Sequence, residues 1–526
     1  MTQTCLGFLG FALTTLPPGS IGSDELMLQI AKNFLYIEAM LTIGWAVFYC
    51  CLSNKSKLAY GHFPFIALSI MTALLFISPN LLILNILLFF IPVALARKQA
   101  DIVIIMVVGT LGLPGLSVHL SAGSLDLFSW NLHSALALGG MLALCVVRGE
   151  PDQDGSAINA SAVLFMLLMV FVAMRGTSPT NWLRQIAAIL FSFGIPIAVI
   201  GVCLKSAVNR RAFVIALSAV GAMLAAIMTY EALVHWPLYA GAYQHLNVQL
   251  QGVTVKFRGG SMRAYGPLDE ATNAGFAMVI ALAASLACGM HFKQGLIRYA
   301  VPAVAMVGIL APQSRSAMIG AGIVLLGYAF YRKGPSAFAK VAAAVSPFAF
   351  IFVVRKYFGD NNLGDAQDTA DYRRLLFTRG MEEFWKSPLV GDTMDHVTAR
   401  MEDLRQGEGI IDFVNSYLYF SLAAGVIGFI IFCAVLFWPA ARLFVQRTRF
   451  NRHTETGAFA GFCFVTMLSA SVMLTFTSIP ARPMIMTLAI AGAALSLKVP
   501  RRTAGQPGKG MTVGKTGDVL PTSRVV

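Results

Sequence analysis

The sequence predicts an all-α, polytopic membrane protein, and three observations predict it. A mean hydropathy of +0.71, with 57% hydrophobic and only 12% charged residues over 526 positions, is too apolar for a soluble globular chain of this size. Apolar runs approaching the length needed to cross a hydrocarbon layer, about 20 residues, recur along the chain. The bases cluster in alternate loops, as the positive-inside rule requires of a multi-pass protein.

The runs cover 33–52, 63–78, 81–96, 102–119, 131–147, 160–175, 185–204, 212–230, 271–290, 299–312, 316–331, 338–354, 414–437, 458–478 and 483–497. They set the expectation of a bundle of about 14 transmembrane helices. The N-terminal run Cys5 to Leu16 ends at Pro17-Pro18 and has no basic leader, so it reads as an interfacial or re-entrant segment. The organisation that follows is N-terminal spans (1–230), a first outer loop (231–270), spans joined by a Ser-Arg connection (271–354), a large outer loop (355–413), C-terminal spans (414–498) and a polar tail (499–526) read as disordered cytoplasmic chain.

The net charge of +14 would point to nucleic acid in a soluble protein. Here its distribution gives a different reason. Lys55, Lys57, Arg97, Lys98, Lys205, Arg210, Arg211, Lys293, Arg298, Arg332, Lys333, Lys340, Arg442 to Arg452 and the tail mark the cytoplasmic loops. Residues 355–413 hold 12 of the 25 acids and 8 of the 39 bases, which places that loop outside, and 231–270 with it. All eight cysteines lie in or beside apolar runs, which excludes a disulfide framework or a Cys/His zinc site from both outer loops. No cofactor is expected.

The first half offers little chemistry. In the first outer loop Trp236, Tyr239 and Tyr243 read as headgroup-level aromatics, and Val248 to Phe257 as a short extended segment on the membrane surface. The stretch Arg258-Gly-Gly-Ser-Met-Arg263 differs, because its glycines admit a ligand close to the backbone and its guanidiniums supply forked donors. Arg315, in Pro312-Gln-Ser-Arg-Ser316, is a charge on the outer side close to the hydrocarbon, expensive unless something anionic meets it. In the large loop Asp368 or Thr369 is expected to cap a helix starting near Asp371. Tyr372, Leu375, Leu376, Phe384 and Trp385 are expected to pack on the membrane domain, leaving Arg373, Arg374 and Arg379 to point elsewhere. Ser387-Pro388 and Gly391 end that helix in a turn.

Outward arginines beside apolar segments suit a phosphate-bearing substrate, because the fork grips phosphate oxygens bidentately and stays charged at any working pH. With a lipid-linked sugar pyrophosphate they would stabilise the charge that develops on the leaving group. An acceptor hydroxyl then needs a base. Asp412 is best placed, at the junction of loop and span, with His396 and Glu408 behind it.

Four stretches read together resemble the O-antigen ligase and Wzy-type polymerase superfamily. Arg263-Ala-Tyr-Gly266 followed by Thr272-Asn273 and Ala277 is similar to the family's Arg-x-x-Gly and Pro-Asn element, and Gln313-Ser-Arg-Ser316 to its Ser-Arg connection. Arg373, Pro388-Leu389 and Gly391 resemble the spacing of its large periplasmic loop, and Asn415-Ser-Tyr-Leu418 with Gly425-Val-Ile-Gly428 its Asn-x-Tyr-Leu and Gly-x-x-Gly. The resemblance spans 258–440. It implies a GT-C-like, metal-independent, inverting glycosyltransferase of the bacterial inner membrane, acting at the periplasmic face. Its implied partners are a polyprenyl-pyrophosphate-linked glycan donor, a glycan acceptor and the bilayer, with a flippase and a chain-length regulator nearby, and no nucleic acid. Arg263 and Arg315 match the family's functional arginines, with Asp412 as the base; Arg373, Arg374, Asn273, His396 and Asn415 are substrate-binding candidates.

Ligases of the family carry His directly before the Asn, and Val414 stands there. The expectation is therefore a polymerase of exopolysaccharide or O-antigen repeats. An O-antigen ligase or protein O-oligosaccharyltransferase is the alternative, and a polysaccharide transporter or flippase the alternative from another class. Transporters concentrate polar groups at the midplane within repeats, whereas here they gather at the outer face.

Overall fold

The computed structural model describes residues 23–122, 125–149, 159–246, 248, 255–258, 260–344, 346, 363–405, 411–451 and 453–498. In chain order these form α1 (Ser23–Cys51), α2 (Asn54–Tyr60), α3 (Phe63–Ile77), α4 (Leu81–Leu95), α5 (Gln99–Gly112), β1 (Ser117–Ala122), β2 (Leu125–Asn131), α6 (Leu132–Val146), α7 (Ala160–Met174), α8 (Pro179–Ile189), α9 (Ile195–Cys203), α10 (Ala207–Val234), α11 (Ala240–His245), β3 (Phe257–Arg258), β4 (Ser261–Met262), α12 (Ala271–Ala287), α13 (Ala300–Leu310), α14 (Arg315–Lys333), α15 (Leu363–Lys386), α16 (Met394–Arg400), α17 (Ser416–Gln446), α18 (Glu455–Met473) and α19 (Ala481–Ser496). Among the described residues seven helical stretches are long and apolar enough to cross a membrane, and shorter apolar helices of 10–17 residues accompany them. The protein is an all-α polytopic membrane protein.

Its centre is α10, buried along nearly its whole length and packed on α1, α5, α12 and α13. A helix apolar on every side belongs inside the bundle. Close approach comes from small residues: Gly221 of α10 meets Ala281 of α12, and Ala225, one turn on, meets Gly308 of α13. Without a hydrophobic drive between helices in lipid, such contacts let backbones come near and gain dispersion.

A second, smaller core belongs to the large loop, where Leu376, Val397, Met401 and Leu404 pack with Phe413, Leu418 and Leu422 at the head of α17. Here the structure corrects the expected stripe. The docked face of α15 runs Tyr372, Leu376, Gly380 and Phe384 at a strict four-residue spacing, with Gly380 seated on Leu418. Leu375 and Trp385 are 47% and 69% exposed. The helix also begins at Leu363, about two turns early, so Asp368 and Thr369 lie within it rather than capping it.

Two further corrections concern the other loops. Tyr239 and Tyr243 are buried instead of lying at headgroup level, their hydroxyls donating to the Gly112 carbonyl (3.2 Å) and Asp269 Oδ1 (2.5 Å). The connection between α5 and α6, expected as a loop, is an antiparallel hairpin of β1 and β2. The Cys5 to Leu16 run, most of the 338–354 run, residues 249–254 of the extended segment and the tail from 499 lie outside the described residues.

Candidate active site

The site is built on three short segments at the face that carries the large loop. The first is β3-β4 with the turn after it, positioned by a buried carboxylate. Glu231, in the last turn of α10, is fully buried and accepts from Leu238 N (3.1 Å), Tyr265 N (3.2 Å) and Gly266 N (2.8 Å). This fixes the backbone directly after Arg263. Asp269, held at φ 66, is pinned by three donors: Arg482 Nη2 (2.6 Å), Tyr243 Oη (2.5 Å) and Gly115 N (3.2 Å). Arg482 is itself 4% exposed and also donates to the carbonyls of Leu113 and Pro267. A left-handed non-glycine is strained, and it persists because the surroundings over-determine it.

The second segment is the Pro312 to Ser316 connection, with Gln313 at φ 52. Arg263 Nε donates to the Pro312 carbonyl at 3.2 Å and Arg258 Nη1 to that of Gln313 at 2.7 Å. These bonds stitch the first outer loop onto the turn that launches α14. Arg315 is the first residue of α14, so its side chain stands beside N–H groups that have no intrahelical acceptor. A helix N-terminus carrying forked donors is a site prepared for phosphate oxygens.

The third segment is α15. Arg373 is half-buried and its Nε has no hydrogen-bond partner among the described residues. Electrostatics ties the three together. Burial first, then the charges of Arg258 and Arg315, hold the Arg263 guanidinium down to about 10, while Glu270 opposes the shift. Burial and then Arg315 lower Arg373, against the pull of Asp412. Like charges close enough to depress one another form a cationic cluster, with Glu270 and Asp412 as the carboxylates that offset it in part.

The remaining candidates separate. Asp412 acts on Arg373, and its carbonyl accepts from Tyr372 Oη at 3.3 Å, so it stands at the edge of the cluster. Asn273 Nδ2 donates to the Leu268 carbonyl at 3.4 Å, in the first turn of α12 beneath the Arg263 turn. Asn415 Oδ1 caps α17 by accepting from Tyr417 N and Leu418 N at 3.0 and 3.2 Å. Arg374 is exposed on α15. Arg379 pairs with Glu382 and Asp403. His396 is an exposed residue of α16 whose Nδ1 lies 3.3 Å from Asp392, within an ion-pair network formed by Asp392, Arg400, Glu383 and Lys386. Glu408 lies outside the described residues.

What fastens α15 to the bundle is a clasp between the Pro388 to Asp392 turn and a break in α17. Gly425 has φ 64 and ψ −160, interrupting the helix. The groups it frees are met from the loop: Asp392 N donates to Leu422 O (2.9 Å) and Val426 N to Pro388 O (2.8 Å). Arg175, just past α7, closes the clasp by donating to the carbonyls of Val390 (2.7 Å), Ala423 (2.6 Å) and Gly391 (2.8 Å). Gly391 has φ 71, and a Cβ there would sit 2.4 Å from Leu422 O, so both glycines are required by backbone contact as well as conformation.

Sequence reasoning missed the supports. Glu231, Asp269, Arg482 and Arg175 lie far apart in the chain and carry no local pattern, and Arg258 entered only as a flanking base. The signal available was their cost, since an ionised side chain inside an apolar run is expensive unless paired.

The fold is thus that of a multi-pass membrane protein, with arginines from three segments gathered near one another. Residues 300–433 match the family model described as O-antigen ligase, and the match supports the O-antigen ligase and Wzy-type superfamily for this chain. The family implies a lipid-linked glycan substrate and a polymerase or ligase role in polysaccharide assembly. A comparison with curated proteins found no match. The matched segment contains Arg315, Arg373, Asp412 and Asn415, whereas Arg258 and Arg263 precede it and meet it through the carbonyls of Pro312 and Gln313.

Proposed function

We propose that this protein is a glycan polymerase at the periplasmic face of the bacterial inner membrane, transferring a polyprenyl-pyrophosphate-linked oligosaccharide onto a sugar hydroxyl of an exopolysaccharide or O-antigen repeat. The observation that carries the reading is the convergence of Arg258, Arg263, Arg315 and Arg373, from three separate segments, on one electrostatic environment. In this reading Arg263 and Arg315 grip the diphosphate and stabilise the negative charge that grows as the glycosidic C–O bond breaks. Arg373 supplies a further donor. Asp412 removes the proton from the acceptor hydroxyl, whose oxygen attacks the anomeric carbon from the side opposite the leaving diphosphate, so configuration inverts. The guanidiniums carry the charge that a divalent ion would otherwise supply, which makes the reaction metal-independent.

Val414, at the position where the ligases carry His, favours polymerisation over ligation to lipid A core. The test is a clean deletion. Cells lacking the gene should accumulate one lipid-linked repeat and no polymer, and wild-type chain but not Arg315→Ala should restore it. Full-length polymer in the deletion strain rejects the proposal, and intact but unattached polymer transfers it to the ligase reading.

A further inference from the structure

At the opposite end of α14 lies a second basic cluster that the proposed chemistry does not use. Arg332 is the last but one residue of α14, about 25 Å along the axis from Arg315, so it sits at the other face of the bundle. Arg447 follows α17 directly. The Nη1 atoms of both arginines are buried with no hydrogen-bond partner among the described residues, and Oε1 of Gln446, the last residue of α17, is buried without a donor among them. The Arg447 guanidinium lies over the rings of Phe330 and Phe444, at 4.5 and 4.9 Å. Both guanidiniums are near enough to act on Tyr331, whose hydroxyl donates to Leu443 O at 3.3 Å. Arg332 Nη1 is 3.3 Å from where a Cβ on Gly457 would stand, so glycine leaves the guanidinium room.

We infer that this cluster is a binding site for the glycerophosphate headgroup of an anionic phospholipid. Two buried cationic donors without acceptors are costly in isolation, and a phosphate satisfies both with charge-assisted bonds. Gln446 Oε1 asks for the reverse polarity, and a headgroup hydroxyl provides it. The neighbouring Phe444 and Val445 are 43% and 78% exposed, an apolar flank against which acyl chains lie. That flank selects a lipid over free phosphate. Basic pockets between helices at a membrane boundary bind anionic headgroups for these reasons.

The full-length protein, stripped of lipid and titrated by native mass spectrometry, tests this. Phosphatidylglycerol should bind about tenfold more tightly than phosphatidylcholine, the scale of one charge-assisted contact pair. Arg332→Gln/Arg447→Gln should abolish that preference, and Arg449→Gln, an exposed neighbour, should keep it. Gln446→Leu, milder for folding, should lower phosphatidylglycerol to the affinity of phosphatidic acid, which lacks the glycerol hydroxyls, and leave phosphatidic acid unchanged. Equal binding of phosphatidylglycerol and phosphatidylcholine by the wild type overturns the inference, as does a preference that survives the double substitution. Displacement of the lipid by equimolar inorganic phosphate overturns the lipid assignment.

Discussion

Removing Arg315 should destroy activity and slightly stabilise the fold, and that pairing of signs comes from the cluster itself. Arg263 is held well below the ordinary guanidinium value, down to about 10. Such a drop amounts to roughly 3 kcal/mol against the charged form, reduced to about 2 kcal/mol by the solvent that reaches a part-exposed side chain. Burial takes the largest share, Arg258 the next, and Arg315 a smaller one, while Arg315 also acts on Arg373. A cation at the first position of α14 adds a further unfavourable few tenths of a kcal/mol through the helix dipole. Together these put the relief in Arg315→Ala at a fraction of that total, below about 1 kcal/mol. The sign holds at working pH: a base whose folded pKa lies below its unfolded one is penalised fully below about 10, and the penalty fades only as pH rises from there towards the unfolded value. Scanning fluorimetry of the purified variant should show a melting temperature unchanged or raised by about 1–2 °C. Polymer formation in the deletion strain should fall by about a hundredfold or more, the scale for losing one preorganised donor to developing charge. Arg315→Lys should return the melting temperature to the wild-type value and restore little activity, since an ammonium lacks the fork. A drop of several degrees in Arg315→Ala would make the residue a structural tie and refute the reasoning, and so would normal polymer yield.

The other predictions concern the clasp and the base. Gly425→Ala should cost about 2–3 kcal/mol or abolish membrane accumulation, because its φ of 64 and a Leu389 carbonyl 2.3 Å from the new Cβ both oppose it; Gly322→Ala, with open space around it, should match wild type by the same fluorescence-detected chromatography. Arg175→Ala should raise hydrogen exchange across 386–404 by at least tenfold while leaving α10 protected, since it removes three bonds to clasp carbonyls. Asp412→Asn should lower turnover by about a hundredfold and erase the acidic limb of the pH–rate profile; wild-type turnover would pass the role of base to another group. Asp392 is held down to about 2, chiefly by Arg400, so its contribution is present above about pH 4 and is lost as pH falls through 2. Exchange in α16 should therefore rise over that window, and Asp392→Asn should flatten the response.

Much of this was legible in the chain. Composition and the spacing of apolar runs determined a polytopic helical bundle, because hydrocarbon satisfies no backbone group and only helices of that length meet the demand internally. Arg263, Arg315 and Arg373 stood out in the chain as candidates, since a guanidinium beside an apolar run is conspicuous against so apolar a background. Four-residue spacing identified α15 but not its docked face: Leu375 and Leu376 are equivalent by composition, and only the position of Leu418 decides between them.

The tertiary structure alone decided which of those residues meet. Glu231 and Tyr265, Arg482 and Asp269, Arg175 and Gly391 are 34, 213 and 216 positions apart, and nothing local encodes such a pairing. Sequence pattern reports the solvent each residue needs, whereas an ion pair or a carbonyl clamp depends on the angle at which helices cross. That angle is fixed by side-chain packing between segments distant in the chain.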